Sequence, residues 1–213
     1  MTHRPSTEEL IRQLASSPAP AGLQPFPAAA LLLGAVMAAV GAFLLLFGAR
    51  PDLMAALSSP EVLAKMLLPP MLAIPALVLA LRSARPGAPL RLWPLTIPVV
   101  AALALLLASV ARTPSADVAA GIIGQTALAC LASIGLLSAP AITLGLMLFR
   151  RGASVHPRLT GGLIGLAVSA SVATGYALHC NEDSPLFFTT WYGLAILGCT
   201  ALGAFAGGRM LRW

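Results

Sequence analysis

Residues 27–47 read PAAALLLGAVMAAVGAFLLLF and carry no charged side chain. A helix needs about 20 residues of this kind to cross the hydrocarbon core of a bilayer. Five more apolar runs follow, at 62–81, 94–111, within 118–149, at 160–178 and at 188–208. Composition agrees: 58% of the chain is hydrophobic and 9% charged, whereas soluble domains carry roughly 25% charged residues. The sequence therefore predicts an all-α integral membrane bundle of six transmembrane helices. The first run is too long, and lies too far behind the polar residues 1–26, to be the short apolar segment of a cleaved leader. The connections are short and rich in Pro, Gly and Arg, so no soluble domain is expected between spans.

Orientation follows from the basic residues, because Arg and Lys favour cytoplasmic loops. With both termini inside, the inner segments hold Arg4, Arg12, Arg82, Arg85, Arg91, Arg150, Arg151, Arg158, Arg209 and Arg212. The outer segments hold only Arg50, Lys65 and Arg112, while the acids Asp52, Glu61, Asp117, Glu182 and Asp183 fall outside. The net charge of +6 is thus explained by topology, and no direct nucleic-acid contact is expected. Lys65 lies near the outer end of the second span, from where it is expected to snorkel to the headgroups. Pro69, Pro70 and Pro75 in the same span remove backbone donors and predict bent packing more readily than a hinge. Gly161/Gly165 and Gly203/Gly207 have the spacing that lets membrane helices approach closely.

The fourth run exceeds one span. If Arg150 and Arg151 fix its inner end, its helix covers about 129–149 and the stretch from Asp117 to Thr126 lies along the outer interface. Cys130 then stands near the outer boundary, level with Cys180, which follows the fifth span beside His179, Glu182 and Asp183. Cys199 falls midway along the sixth span. Thiolates are soft ligands for ions such as cadmium, and an outer face is an oxidising compartment where a disulfide persists. Cysteines also pack simply as small apolar groups. Spacing of the paired CxxC kind is absent, which argues against a permanent structural zinc. His179, Glu182 and Asp183 are candidate auxiliary ligands, or equally a short polar loop in which Asp183 or Ser184 caps the sixth span.

The tail carries Ser6-Thr7-Glu8-Glu9-Leu10-Ile11-Arg12-Gln13-Leu14. Ser6 with Glu9 three residues later is a capping-box pattern, and Leu10, Ile11 and Leu14 share one helical face. Such a helix docks in a groove on a partner or lies on the inner leaflet; the Pro-rich stretch from Ser16 to Pro27 would tether it. No nucleophile–base pair, phosphate-cradling loop or resident cofactor site is recognisable, so no enzymatic activity is expected. Carboxylates inside the spans, the usual sign of ion pathways, are also missing, which weakens a transporter reading.

The block Tyr176-Ala177-Leu178-His179-Cys180-Asn181-Glu182-Asp183-Ser184-Pro185-Leu186-Phe187, followed by Trp191-Tyr192-Gly193, resembles the signature of the NrsF family. Arg50-Pro51-Asp52-Leu53, Pro60, Lys65, Arg151-Gly152-Ala153 and the terminal Arg209-Met210-Leu211-Arg212-Trp213 match as well. Asn181 departs from the proline usual in the family. The resemblance implies a six-span protein of the bacterial inner membrane, acting as an anti-sigma factor. It would hold an extracytoplasmic-function sigma factor of the sigma-F type at the cytoplasmic face and release it under heavy-metal or oxidative stress. Two cysteines are implicated in the family, and by position they match Cys130 and Cys180. Partner binding then falls to Leu10, Ile11 and Leu14, with the basic loops as further contacts. The competing classes are a small metal or drug transporter and a membrane thiol-redox protein.

Overall fold

The computed structural model describes residues 6–16 and 22–212, without the side chain of Leu14. Arg4, part of the tether (17–21) and Trp213 therefore lie outside the described residues, as does the contribution of the Leu14 side chain. Among the described residues the regular structure is helical throughout: α1 (Thr7–Ser16), α2 (Pro25–Phe47), α3 (Leu53–Ala56), α4 (Pro60–Ser83), α5 (Thr96–Arg112), α6 (Ser115–Ile123), α7 (Ala127–Phe149), α8 (Pro157–Tyr176) and α9 (Pro185–Met210). One 3-10 turn, Trp93–Leu95, leads into α5. Six segments are long and apolar enough to cross a membrane, with α6 and α7 together forming one of them.

Local chemistry sets several of the helix starts. Proline stands in the first positions of α2, α4, α8 and α9, where its fixed φ suits the helix and its missing N–H is no loss. The Ser59 hydroxyl caps α4 by accepting from the Val62 N–H at 3.3 Å. Within α4, Pro69, Pro70 and Pro75 are accommodated in one unbroken helix. The long fourth run divides at Gly124, whose φ of 55° lies in the left-handed region that glycine enters without strain. The break falls between α6 and α7, so α7 starts two residues before the expected 129.

The long helices alternate in direction, and the bundle has two chemically distinct ends. The Arg50 N–H donates to the Leu178 carbonyl at one end, and the Ala153 N–H to the Ala84 carbonyl at the other, with distances of 2.9 and 3.0 Å. The first end holds the 48–59, 113–126 and 177–184 connections. The second holds the 84–92 and 150–156 connections and the C-terminus. Among the described residues, the ion pairs all lie at the first end, whereas the second carries Arg82, Arg85, Arg91, Arg150, Arg151, Arg158, Arg209 and Arg212, with no carboxylate in 84–92, 150–156 or 208–212. At that second end the Arg209 guanidinium lies over the Phe205 ring at 3.7 Å, an arrangement that stabilises a cation without an acid.

α8 is the hub, packed against α9, α4, α7 and α2, and most of its length is buried. Its sequence is not the most apolar of the six; its small residues put it there. A Cβ added at Gly161 would collide with the Gly203 carbonyl oxygen, and one at Gly165 would come within 2.5 Å of the Cys199 carbonyl oxygen. Likewise, a Cβ on Gly207 would stand 2.7 Å from the Gly161 Cα. The backbones of α8 and α9 are thus in direct contact, the close approach that small residues permit where lipid offers no hydrophobic incentive to pack. By contrast α5 is peripheral, with Pro98 as its buried residue.

Gly161→Ala is expected to destabilise the bundle by about 1–3 kcal/mol, because the intruding methyl meets rigid backbone and cannot be accommodated by a rotamer change. Gly198→Ala on α9, where nothing lies within 4 Å of the added carbon, should be neutral or stabilising by up to roughly 1 kcal/mol. Thermal unfolding of the two variants in the same detergent compares them directly.

Candidate functional site

The polar residues singled out in the sequence gather at the first end, around the turn after α8. Lys65 is the unexpected one. It does not snorkel outward; it is fully buried, with 0% exposure, and turns inward onto the 180–183 segment. Its ammonium donates to the Cys180 carbonyl at 2.5 Å, the Glu182 carbonyl at 3.1 Å and Asp183 Oδ1 at 3.1 Å. Those three acceptors use all three ammonium donors. A buried cation is tolerated only when paired and fully hydrogen-bonded, so the inward path is the stable one once these oxygens are within reach.

Arg50, also buried, completes the arrangement. It makes a two-pronged pair with Asp52, Nε to Oδ1 and Nη2 to Oδ2, both 2.9 Å. Its Nη1 donates to Asp183 Oδ1 at 2.7 Å and to the Cys180 carbonyl at 3.4 Å. Two cations and two carboxylates therefore balance, and the Cys180 carbonyl and Asp183 are each held by both cations. The hydrogen bonds it donates, to Asp52 first and then to Asp183, hold the Arg50 guanidinium well above its ordinary pKa. The hydrogen bond from Arg50 likewise keeps Asp52 below the usual carboxylate range. Burial pushes Asp183 up, but Arg50 and Lys65 outweigh it and leave its carboxyl below the ordinary value.

The neighbouring residues have partners of their own. The His179 Nδ1–H donates to the Gly48 carbonyl at 2.8 Å, a tautomer fixed by the acceptor, since a carbonyl offers no proton. The imidazole stands edge-on to Phe43, ring centroids 5.0 Å apart, and near Phe47 and Tyr176. Gly48 ends α2 at a φ of 80° and so presents that carbonyl. Glu182 reaches across to the break before α7, where Oε1 accepts from the Gln125 N–H at 2.8 Å. The Trp191 indole donates to the Ile122 carbonyl at 2.7 Å, which fastens α6 to the start of α9. Ser184 occupies the N-cap of α9 but makes no side-chain capping bond, and Asp183 is committed to the two cations.

Beneath this layer the structure brings Cys130 on α7 and Cys180 into one core cluster with Tyr176 and Tyr192. Both thiols are free and buried, Cys130 with 0% and Cys180 with 4% exposure, and each lies within electrostatic range of the other. Cys199 is buried farther along α9, with its backbone against Gly165. Among the described residues, no three of His, Cys, Asp and Glu converge closely enough to hold a metal ion. His179, Glu182 and Asp183 thus face their protein partners rather than the thiols. At the far side of the chain, α1 forms with the Glu9 N–H donating to the Ser6 hydroxyl at 3.3 Å. Every side chain described in it is exposed, Leu10 by 47% and Ile11 by 60%.

The model for the family described as "Negative regulator of sigma F", NrsF, matches residues 14–213. This chain belongs to the NrsF family. It is 33% identical to the anti-sigma-F factor NrsF of Caulobacter vibrioides (strain NA1000 / CB15N), over 97% of this chain and 99% of the relative. It is 34% identical to the probable anti-sigma-F factor NrsF of Azospira oryzae (strain ATCC BAA-33 / DSM 13638 / PS), again over 97% and 99% of the two chains. No solved structure matches it.

Lys65→Met should destabilise the folded chain by about 3 kcal/mol, because it strands buried acceptors and removes one of the two cations on Asp183. The pH dependence follows from the depressed carboxyl of Asp183. Its contribution is fully present above the ordinary carboxylate value of 3.8 and is lost as pH falls below it toward the folded pKa. Thermal unfolding followed from pH 7 down to about pH 3 should show this loss, and Asp183→Asn should flatten part of it.

Proposed function

We propose that this chain is a six-span anti-sigma factor of the bacterial inner membrane, with both termini in the cytoplasm. It holds a sigma factor of the sigma-F type inactive at the membrane and releases it when Cys130 and Cys180 are engaged by a heavy-metal ion or joined in a disulfide. The observation that carries this reading is the family match over nearly the whole chain. The relatives' names support the partner class, and the nearness of the two buried thiols is consistent with the mechanism. The arginine-rich end is the one that positively charged loops would keep in the cytoplasm. The opposite end, with the thiols and the Arg50–Lys65–Asp183 cluster, then faces the periplasm.

On this reading α1 is the grip. Its exposed Leu10 and Ile11 form the apolar stripe of an amphipathic helix that a partner groove would cover, with Leu14 on the same face by spacing. The thiols are the receiver. Thiolates bind soft metal ions, and the two stand on different elements, so a shared ion or an S–S bond would tie α7 to the turn after α8. The Cys180 carbonyl is also an acceptor for Lys65 and Arg50, so a displaced thiol disturbs the attachment of α4 and of the segment after α2. His179, Glu182 and Asp183 would join as auxiliary ligands only after leaving Gly48, Gln125 and the two cations.

Co-purification with the sigma factor tests the grip. Deleting residues 1–16, or substituting Leu10→Ala with Ile11→Ala, should reduce the sigma factor recovered by at least about tenfold and raise a sigma-dependent reporter; unchanged repression would move the grip to the basic loops. For the receiver, Cys130→Ser with Cys180→Ser should leave the chain in the membrane and abolish the reporter's response to cadmium. A normal response in that double variant removes the sensor assignment.

A further inference from the structure

Ser138 Oγ and Tyr192 Oη are the buried side-chain polar atoms without a hydrogen-bond partner among the described residues. Such groups are rare in folded proteins, because an unpaired buried hydroxyl gives up its water and gains nothing in return. Tyr192 is 3% exposed and sits two turns into α9, its ring in edge contact with Tyr176 at 6.0 Å between centroids. Its hydroxyl lies beside the Cys180 thiol, without the geometry of a hydrogen bond, and within electrostatic range of Cys130. Tyr176 is likewise in range of both thiols, so the two tyrosines and the two cysteines stand near one another within the same core. No packing reason accounts for the orphaned hydroxyl, since a phenyl ring would fill the same space without an unpaired oxygen.

We propose that the phenol oxygen of Tyr192 is the third donor of a soft-metal site formed with Cys130 and Cys180. The inference rests on the reading of the two cysteines as the signal receiver and adds to it a residue that decides which ion is held. A divalent ion binding here displaces one proton from each thiol and takes a lone pair from the phenol, which keeps its own proton. The dication and two thiolates sum to zero charge, and a neutral third donor leaves that sum unchanged. That balance matters in a core where a net charge would be strongly unfavourable. The third donor also sets preference by geometry. Cadmium favours three or four ligands, whereas mercury(II) is satisfied by two thiolates in a line, so only cadmium gains from the oxygen.

The experiment titrates cadmium, and separately mercury(II), into the purified full-length chain in detergent with its thiols reduced, following thiolate-to-metal absorption and proton release. The wild type should release two protons per cadmium ion. Tyr192→Phe should keep that stoichiometry and bind cadmium at least about tenfold more weakly, with mercury(II) binding unchanged; its thermal stability without metal should be equal to or above that of the wild type. Cadmium binding by Tyr192→Phe at wild-type strength would overturn the proposal and leave the two-thiol receiver standing. Equal weakening for both metals would also overturn it, by reducing Tyr192 to a packing role. Undiminished cadmium binding by Cys130→Ser with Cys180→Ser would instead remove the receiver itself.

Discussion

A lysine ammonium with no exposed surface is the constraint around which the first end of this bundle is organised. Lys65 reaches three oxygens of the 180–183 segment, and those oxygens are available only if the chain after α8 turns back over α4. A buried ion pair is a weak source of net stability but a strong source of specificity, because removing either partner leaves an uncompensated charge. Arg50 adds the second half of the constraint by holding the segment after α2 to the same turn. Three chain segments distant in sequence therefore meet at one carboxylate and one carbonyl. The layer below them, with Cys130, Cys180, Tyr176 and Tyr192, inherits its positions from that meeting.

The two ends of the molecule solve the problem of charge in opposite ways. At the first, two buried cations, Arg50 and Lys65, pair with carboxylates that keep part of their surface in solvent. At the second, arginines stand at the ends of α4, α7 and α9 and in the loops between, with no acid among them. That asymmetry is what the proposed orientation requires, since basic loops favour the cytoplasmic side of a bilayer. The remaining carboxylates, Glu8 and Glu9, belong to α1, which precedes, in the chain, the start of α2 at the second end. The proposed grip thus lies at the arginine-rich end and the proposed receiver at the other, a separation that any signal must cross through α7, α8 and α9.

Much of this architecture is legible in the sequence because membrane helices are dictated by length and apolarity, and lipid permits few alternatives. The division of the fourth run is legible too, since 118–149 is too long for one crossing and Gly124 offers the break. The glycine pairs of α8 and α9 announce close packing, although spacing alone does not say that these two helices are each other's partners. Lys65 is where sequence reasoning goes astray. Near a span end, a lysine reads as a group that reaches for headgroups, and its inward turn depends on oxygens more than a hundred residues away. The partners of His179 and Glu182 are hidden for the same reason: both are backbone groups, Gly48 and Gln125, which leave no mark in residue type. Tyr192 stands out in the sequence only as part of Trp191-Tyr192-Gly193, because an orphaned hydroxyl is defined by what surrounds it in three dimensions.

The contact between α8 and α9 has a mechanical consequence. Where Gly161 and Gly165 lie against Gly203, Gly207 and the Cys199 backbone, no side chains are interposed whose rotamers could absorb a shift. Interfaces that yield do so by letting flexible groups re-pack; this one has none to offer. The two helices are therefore locked together over that stretch, which lies toward the arginine-rich end of the bundle. A shift of either helix there has to carry the other with it.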